Sequence, residues 1–249
     1  MNIHSISAYL DELLRTRETP DYPNALNGLQ VENTEAITRI GAAVDASLES
    51  IGVAAKRGCN LLLVHHGLFW EGNRAITGRH YQRLKLLLDR GMALYASHLP
   101  LDVHPDLGNN VLLARALDVK VTGSFGDFQG QPLGIRGSLV ASCDELAARL
   151  EALLGNVRLI AGGREVIREI GIITGSAGSM IAAAAAAGLD AFITGEGNHH
   201  TYFDAMEHGI NVYYGGHYAT ETFGVRALAE NAGRKFNLPW EFFDLPTGL

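Results

Sequence analysis

The 249-residue sequence is poor in cysteine, in charge and in long apolar runs. Its only cysteines, Cys59 and Cys143, can build neither a disulfide framework nor a thiolate metal cage, and they fit a reducing compartment. Charged residues make up 19%, against roughly 25% in an average soluble domain, which leans toward extra buried surface of the kind an oligomer provides. Lys plus Arg number 20 against 27 Asp plus Glu, a net charge of −7, with no Lys/Arg run longer than two, so a nucleic-acid groove is not indicated. The longest apolar stretch, MIAAAAAAG from Met180 to Gly188, is too short to span a bilayer and reads as a packed helix. The start, MNIHSISAYLDELLRT, lacks a basic leader followed by an apolar core, so a cytoplasmic location without a membrane partner is expected. Histidine, in contrast, is abundant: ten imidazoles beside two thiols direct attention to His/Asp/Glu chemistry.

The length allows one large domain or two modest ones. Ile3, Ile6, Tyr9, Leu10, Leu13 and Leu14 recur at helical spacing, with Ser5 or Ser7 as a cap. Residues 19–28, rich in Pro, Asn and Gly, force a loop. Ile37 to Val44 reads as a strand, and Ser47 caps a helix running to about Arg57.

One pattern then recurs four times: KRGCNLLLVHHG, DRGMALYASHLPLD, AAGLDAFITGEGNHH and EHGINVYYGGHYATE. In each, a helix ends at a Gly (Gly58, Gly91, Gly188, Gly209), an apolar run follows, and the run breaks at His, Gly or an acid. Helix, Gly, strand and polar loop in succession predict a parallel α/β sheet. His65, His98, Glu196 and His217 lie seven or eight residues past the Gly, one strand length, which places them at strand carboxyl ends where open α/β sheets bind ligands. These readings divide the chain into a first α/β lobe over 1–122, a connecting subdomain over 123–167 that holds the Gly-rich GSFGDFQGQPLGIRG and a capped helix from Ser142 to Leu154, and a second α/β segment over 168–249 ending in an edge strand from Trp240. The expected class is α/β, with two interlinked lobes and largely parallel sheets.

His65 and His66 close a buried run and precede Gly67. Neighbouring side chains on a regular strand point to opposite faces, so the pair cannot share one ion there, although at a strand end it can reach two neighbouring ions. The alternative is a pair hydrogen-bonded to loop backbone. SHLPLDVHPDLGNN supplies His98 and Asp102 after another strand, a mixed N/O set suited to Zn, Mn, Fe, Co or Ni. Asp106 with Asn109 and Asn110 reads as a helix start, and His104 as an exposed loop residue. His217 and Glu221, four apart at a helix start, project from one face, and a Glu there can bridge two cations. Glu196 reads as a partner of a ligand or as a general acid/base. For His199 and His200 a solvent-facing position is favoured. GSAGS at 175–179 reads as a plain strand-to-helix turn, since it lacks the Lys-Ser/Thr of a phosphate loop. Neither Cys has a supporting His or acid by motif, which argues against a Cys nucleophile.

Taken in order, NGLQVE, VHHGLFW, SHLPLDVHPDLGNN, DAFITGE and GGHYATE closely resemble the Nif-three-like (YbgI-like) family, whose bacterial members are commonly named GTP cyclohydrolase 1 type 2 homologues. The resemblance runs through nearly the whole chain. It implies a two-lobe α/β protein with a dinuclear divalent-metal site in the cleft between the lobes, assembled as a toroidal homohexamer. Matched motif to motif, His65 and Asp102 would hold one ion, His66 and His217 the other, and Glu221 would bridge both.

These readings lead to a metal-dependent hydrolase using two divalent ions per subunit, with a metal-bridging water or hydroxide as nucleophile. Glu196 and His98 are the candidates for moving protons, and a nucleotide or another small molecule is the expected substrate. If that substrate is GTP, the carbon between the two imidazole-ring nitrogens of guanine would be attacked. The alternative from another class is a metal-binding scaffold, metal chaperone or regulatory protein without turnover.

Overall fold

The computed structural model describes residues 1–70, 72 and 74–249. Along the chain lie α1 (Ile3–Leu13), β1 (Gly28–Val31), β2 (Ile40–Asp45), α2 (Leu48–Lys56), β3 (Leu61–His66), α3 (Gly78–Asp89), β4 (Ala93–Ala96), α4 (Leu99–Asp102), α5 (Asn109–Ala116), β5 (Lys120–Phe128), β6 (Gln131–Ser142), α6 (Cys143–Leu154), β7 (Arg158–Ala161) and β8 (Val166–Ile172). There follow α7 (Ile181–Ala186), β9 (Ala191–Thr194), α8 (Thr201–His208), β10 (Asn211–Tyr214), α9 (His217–Thr220), α10 (Thr222–Phe236) and β11 (Trp240–Phe242). The elements form two compact units, Met1–Leu101 with Gly224–Leu245, and Asp102–Phe223 with Pro246–Leu249.

The first unit holds a five-stranded sheet in the order β1-β4-β3-β2-β11. β11, β2, β3 and β4 run parallel, and only β1 pairs antiparallel, at one edge. β2, β3 and β4 are short apolar runs, almost wholly buried, as strands covered on both faces must be. One core cluster packs Val31, Ile51, Leu62, Val64, Leu87, Leu94 and Phe243. Asn2, rather than Ser5 or Ser7, caps α1: its side chain accepts from the Ser5 amide at 2.9 Å. Ser47 caps α2 through a reciprocal box with Ser50, as the sequence leads one to expect.

The second unit holds a six-stranded sheet in the order β5-β6-β8-β9-β10-β7. Its centre, β8-β9-β10, is parallel, but β5, β6 and β7 pair antiparallel. The expectation of largely parallel sheets therefore describes the first unit and not the second, which is mixed. The cause is the stretch from 123: Gln129 and Gly130, both at positive φ (53° and 83°), join β5 to β6 in a tight hairpin, a connection open only to antiparallel strands. Its glycines make room for a ring: a β-carbon on Gly134 or Gly171 would lie 2.5 or 2.8 Å from Phe125. Residues 123–167 thus supply strands and α6 to this sheet. Ser142 caps α6 in a box with Glu145, and Leu146 and Leu150 point into the core. Two core clusters sit against this sheet, one around Ile167, Ile170 and Tyr213, the other around Phe125, Phe192 and Val212.

The fourfold pattern of the sequence is real in backbone terms. Gly58, Gly91, Gly188 and Gly209 all have positive φ, between 55° and 74°, and each is followed by a parallel strand. Among the described residues, no helix is long and apolar enough to cross a membrane.

Candidate metal centre

In the first unit, the carboxyl ends of β2, β3 and β4 bring imidazoles together. His65 is fully buried and its Nδ1 lies 2.8 Å from the Ser97 carbonyl oxygen. A carbonyl only accepts, so Nδ1 carries the proton and the lone pair is on Nε2. His66, the last residue of β3, sits directly across from Asp45, the last of β2. Its Nδ1 donates to Asp45 Oδ1 at 2.9 Å, which again leaves the lone pair on Nε2. His98, two residues past β4, donates from Nδ1 to Asp21 Oδ1 at 2.9 Å, and the Trp70 ring meets it edge-on, centroids 4.7 Å apart. Burial raises the Asp21 carboxyl, but the His98 hydrogen bond and charge, with the Asn27 amide and the Tyr22 backbone N–H, outweigh it and hold Asp21 below the usual carboxylate range. The three imidazoles offer donor atoms within 4.8 Å of one another. Of the pair, His65 alone fits the reading of hydrogen bonding to backbone, through the Ser97 carbonyl, while His66 is bonded to the Asp45 side chain.

In the second unit, Asp102, His217 and Glu221 meet. Glu221 is 2% exposed, and its Oε2 lies 3.1 Å from His217 Nε2, one turn away as the i,i+4 spacing requires. Nδ1 of His217 donates to Glu196 Oε1 at 2.9 Å. Burial works against the charge on His217, but hydrogen bonds and attraction from Glu221 and then Glu196 prevail, raising it from 6.5 to about 9. Asp102, 6% exposed, presents a carboxylate oxygen within 4.8 Å of one from Glu221. Its Oδ1 accepts from the buried Asn109 amide at 2.7 Å and from Thr174 Oγ1 at 3.4 Å.

Sequence reading anticipates Glu196 as a partner of a ligand, but not Asn109 or Thr174 as supports of Asp102. Asn109 and Asn110, expected at a helix start, do begin α5, but the cap position is Gly108 and no side chain fills it. Asn109 instead holds Asp102, while Asn110 Oδ1 accepts from the Thr174 amide at 2.9 Å, because buried carboxylates and amides must be hydrogen-bonded. Asp45 and Asp21 are equally hidden. Asp45 has a readable signal, the carboxyl end of a strand beside a His-ending strand; Asp21, inside an irregular loop, has none. His199 and His200 are exposed ahead of α8, and His104 caps its own turn through the Asp106 and Leu107 amides. Both cysteines are free and buried, and burial pushes both thiols up, which argues further against a Cys nucleophile.

The donor set fits a divalent cation on its own chemistry. Two buried carboxylates within a few ångströms repel unless a positive charge lies between them, and imidazole nitrogens oriented by carboxylates or backbone carbonyls are the usual companions of such an ion.

The chain is 46% identical to a Deinococcus radiodurans protein named GTP cyclohydrolase 1 type 2 homolog, over 97% of this chain and 92% of that one. It is 41% identical to a like-named Escherichia coli protein over 95% of each. A solved structure described as protein ybgI, of unknown function, matches with a TM-score of 0.94 at 38% identity over all of both chains. A crystal structure from Thermus thermophilus matches with a TM-score of 0.89 at 38% identity, again over both whole chains. The Duf34/NIF3 (NGG1p interacting factor 3) family profile matches residues 1–247, and the chain belongs to that family.

Proposed function

We propose that His65, His66, Asp102, His217 and Glu221 together hold two divalent ions, and that the protein is a metal-dependent hydrolase. The observation that carries this reading is common to the three imidazoles among them: each commits Nδ1 to an acceptor, namely Ser97 O, Asp45 and Glu196. When bound, a pair of such ions supplies a water that ionises near neutral pH and an electrostatic sink for developing oxyanion charge. The protein's own contribution is orientation and proton movement. Asp45 and Glu196 fix the rings of His66 and His217, while Asn109 and Thr174 fix Asp102. Asp21 poises His98 as a proton carrier, an imidazole with its far nitrogen held by a carboxylate. The name shared by the relatives, GTP cyclohydrolase 1 type 2 homolog, makes GTP the first substrate to try, with a ring C–N bond as the target.

The test is metal analysis of protein purified without chelator, followed by turnover of GTP, phosphoesters and peptides in the metal found. Two equivalents per chain and a hydrolysis that disappears in Glu221→Ala are expected. Absence of stoichiometric metal overturns the proposal, and full metal content with no turnover of any substrate leaves a binding scaffold in its place. The homohexamer is part of the same proposal, checked by sedimentation equilibrium against six times the 26.8 kDa chain mass.

A further inference from the structure

Beside the second unit's donors lies a cleft of about 700 Å³ at the carboxyl ends of β9 and β10, within the size range of small-molecule sites and at the sheet edge where α/β folds bind ligands. Arg158 and Tyr214 form one wall. They are direct partners in the antiparallel β7–β10 register, so both side chains rise from the same face. The loop Gly195–Asn198 and Tyr202 from α8 form the other wall. Thr201 Oγ1 donates to the Asn198 carbonyl at 2.6 Å and therefore accepts from Tyr214 Oη at 2.5 Å. The phenol oxygen thus keeps its lone pairs for a ligand's N–H. A β-carbon on Gly197 would lie 2.4 Å from that oxygen, so the loop reaches Tyr214 only because position 197 carries no side chain.

Glu196 belongs both to this cleft and to the candidate metal centre. One carboxylate oxygen accepts from His217 Nδ1, and the side chain, 44% exposed, lines the cleft. In the strand order β9-β10-β7, Tyr214 on β10 stands between Glu196, just past β9, and Arg158 on β7, so the cleft has a guanidinium side and a carboxylate side. An anionic group is attracted to the first and repelled by the second, and ring N–H donors behave in the opposite way. We propose that this cleft is the substrate-recognition pocket, taking a phosphorylated heteroaromatic whose phosphate rests on Arg158 and whose N–H edge meets Glu196 and Tyr214. This rests on the hydrolase reading only in making the Glu196 end the reacting end.

The test is calorimetric binding of GTP, guanosine and inorganic triphosphate to the protein as purified and after chelator treatment. Arg158→Ala should weaken GTP at least about tenfold, the loss of a charge-assisted hydrogen bond, and leave guanosine unchanged; Arg158→Lys should recover part of the loss. GTP binding equally to wild type and Arg158→Ala, no GTP binding at all, or triphosphate binding as tightly as GTP each overturns it. If the protein holds no metal yet binds GTP through Arg158, the hydrolase reading fails and the pocket stands. If metal is held and Arg158 is immaterial, the pocket fails alone.

Discussion

A β-carbon built on Gly175 would lie 2.1 Å from Oε1 of Glu221, and Gly175 has a φ of +69°. The buried carboxylate thus occupies the space that any side chain at 175 would take. Gly175→Ala meets two penalties: a left-handed backbone that costs an L-residue roughly 1–2 kcal/mol, and displacement of a 2%-exposed Glu. The expected result is a lowered denaturation midpoint together with loss of bound metal. Retention of both would show that Glu221 moves freely and is not held for ligation.

Asp45 and Asp21 make the same contact to different imidazoles, and the proposed roles separate them. Asp45→Asn removes the carboxylate behind His66, a proposed ligand, and should weaken metal binding about 10–100-fold, as is usual for such partners. Asp21→Asn removes the one behind His98 and should leave metal content near wild type while lowering turnover. Atomic absorption and steady-state rates on the two variants decide the matter; equal loss of metal in both would make His98 a ligand.

The charge on His217 gives a pH prediction. Held between Glu221 and Glu196, its folded value is about 9 against 6.5, so in metal-free protein the stabilisation from this group is complete below about 6.5 and is lost as pH rises through about 9. A cation that ligates Nε2 must displace that proton. Metal affinity should therefore climb as pH rises from 7 toward 9 and flatten above, with proton release detectable calorimetrically. An affinity flat across that range would place His217 outside the ligand set.

Much of this was legible because the relevant signals are local. Gly58, Gly91, Gly188 and Gly209 announce helix ends through their own backbone, and the apolar runs after them are strands whatever lies around them. His65 and His66 close β3, and His217 follows β10 directly, for the same reason, whereas Asp102 and Glu221 lie one short helix further on. What stayed hidden depends on distant neighbours. The glycines of 123–137 suggest flexibility until Phe125 is placed across Gly134 and Gly171. Asp21 meets His98 from 77 positions away. A compact unit that the chain leaves at Leu101 and re-enters at Gly224 has no marker in the sequence.

The pair Ser142 and Asn109 turns that contrast into a measurement, since both residues read as helix-start residues and only one of them is a cap. Ser142 accepts from the Glu145 amide at 3.2 Å on the exposed end of α6. Ser142→Ala should cost about 1 kcal/mol, visible as a shift in denaturant midpoint with metal affinity unchanged. Asn109 is fully buried and donates to Asp102 Oδ1 at 2.7 Å. Asn109→Leu, similar in size, removes a hydrogen bond to a buried carboxylate, a change worth roughly 1–3 kcal/mol. Its consequence should fall on the donor set: without the amide, Asp102 loses its fixed orientation, so metal affinity drops. Should Asn109→Leu lower stability as Ser142→Ala does while binding metal normally, Asp102 would have to be removed from the proposed ligands.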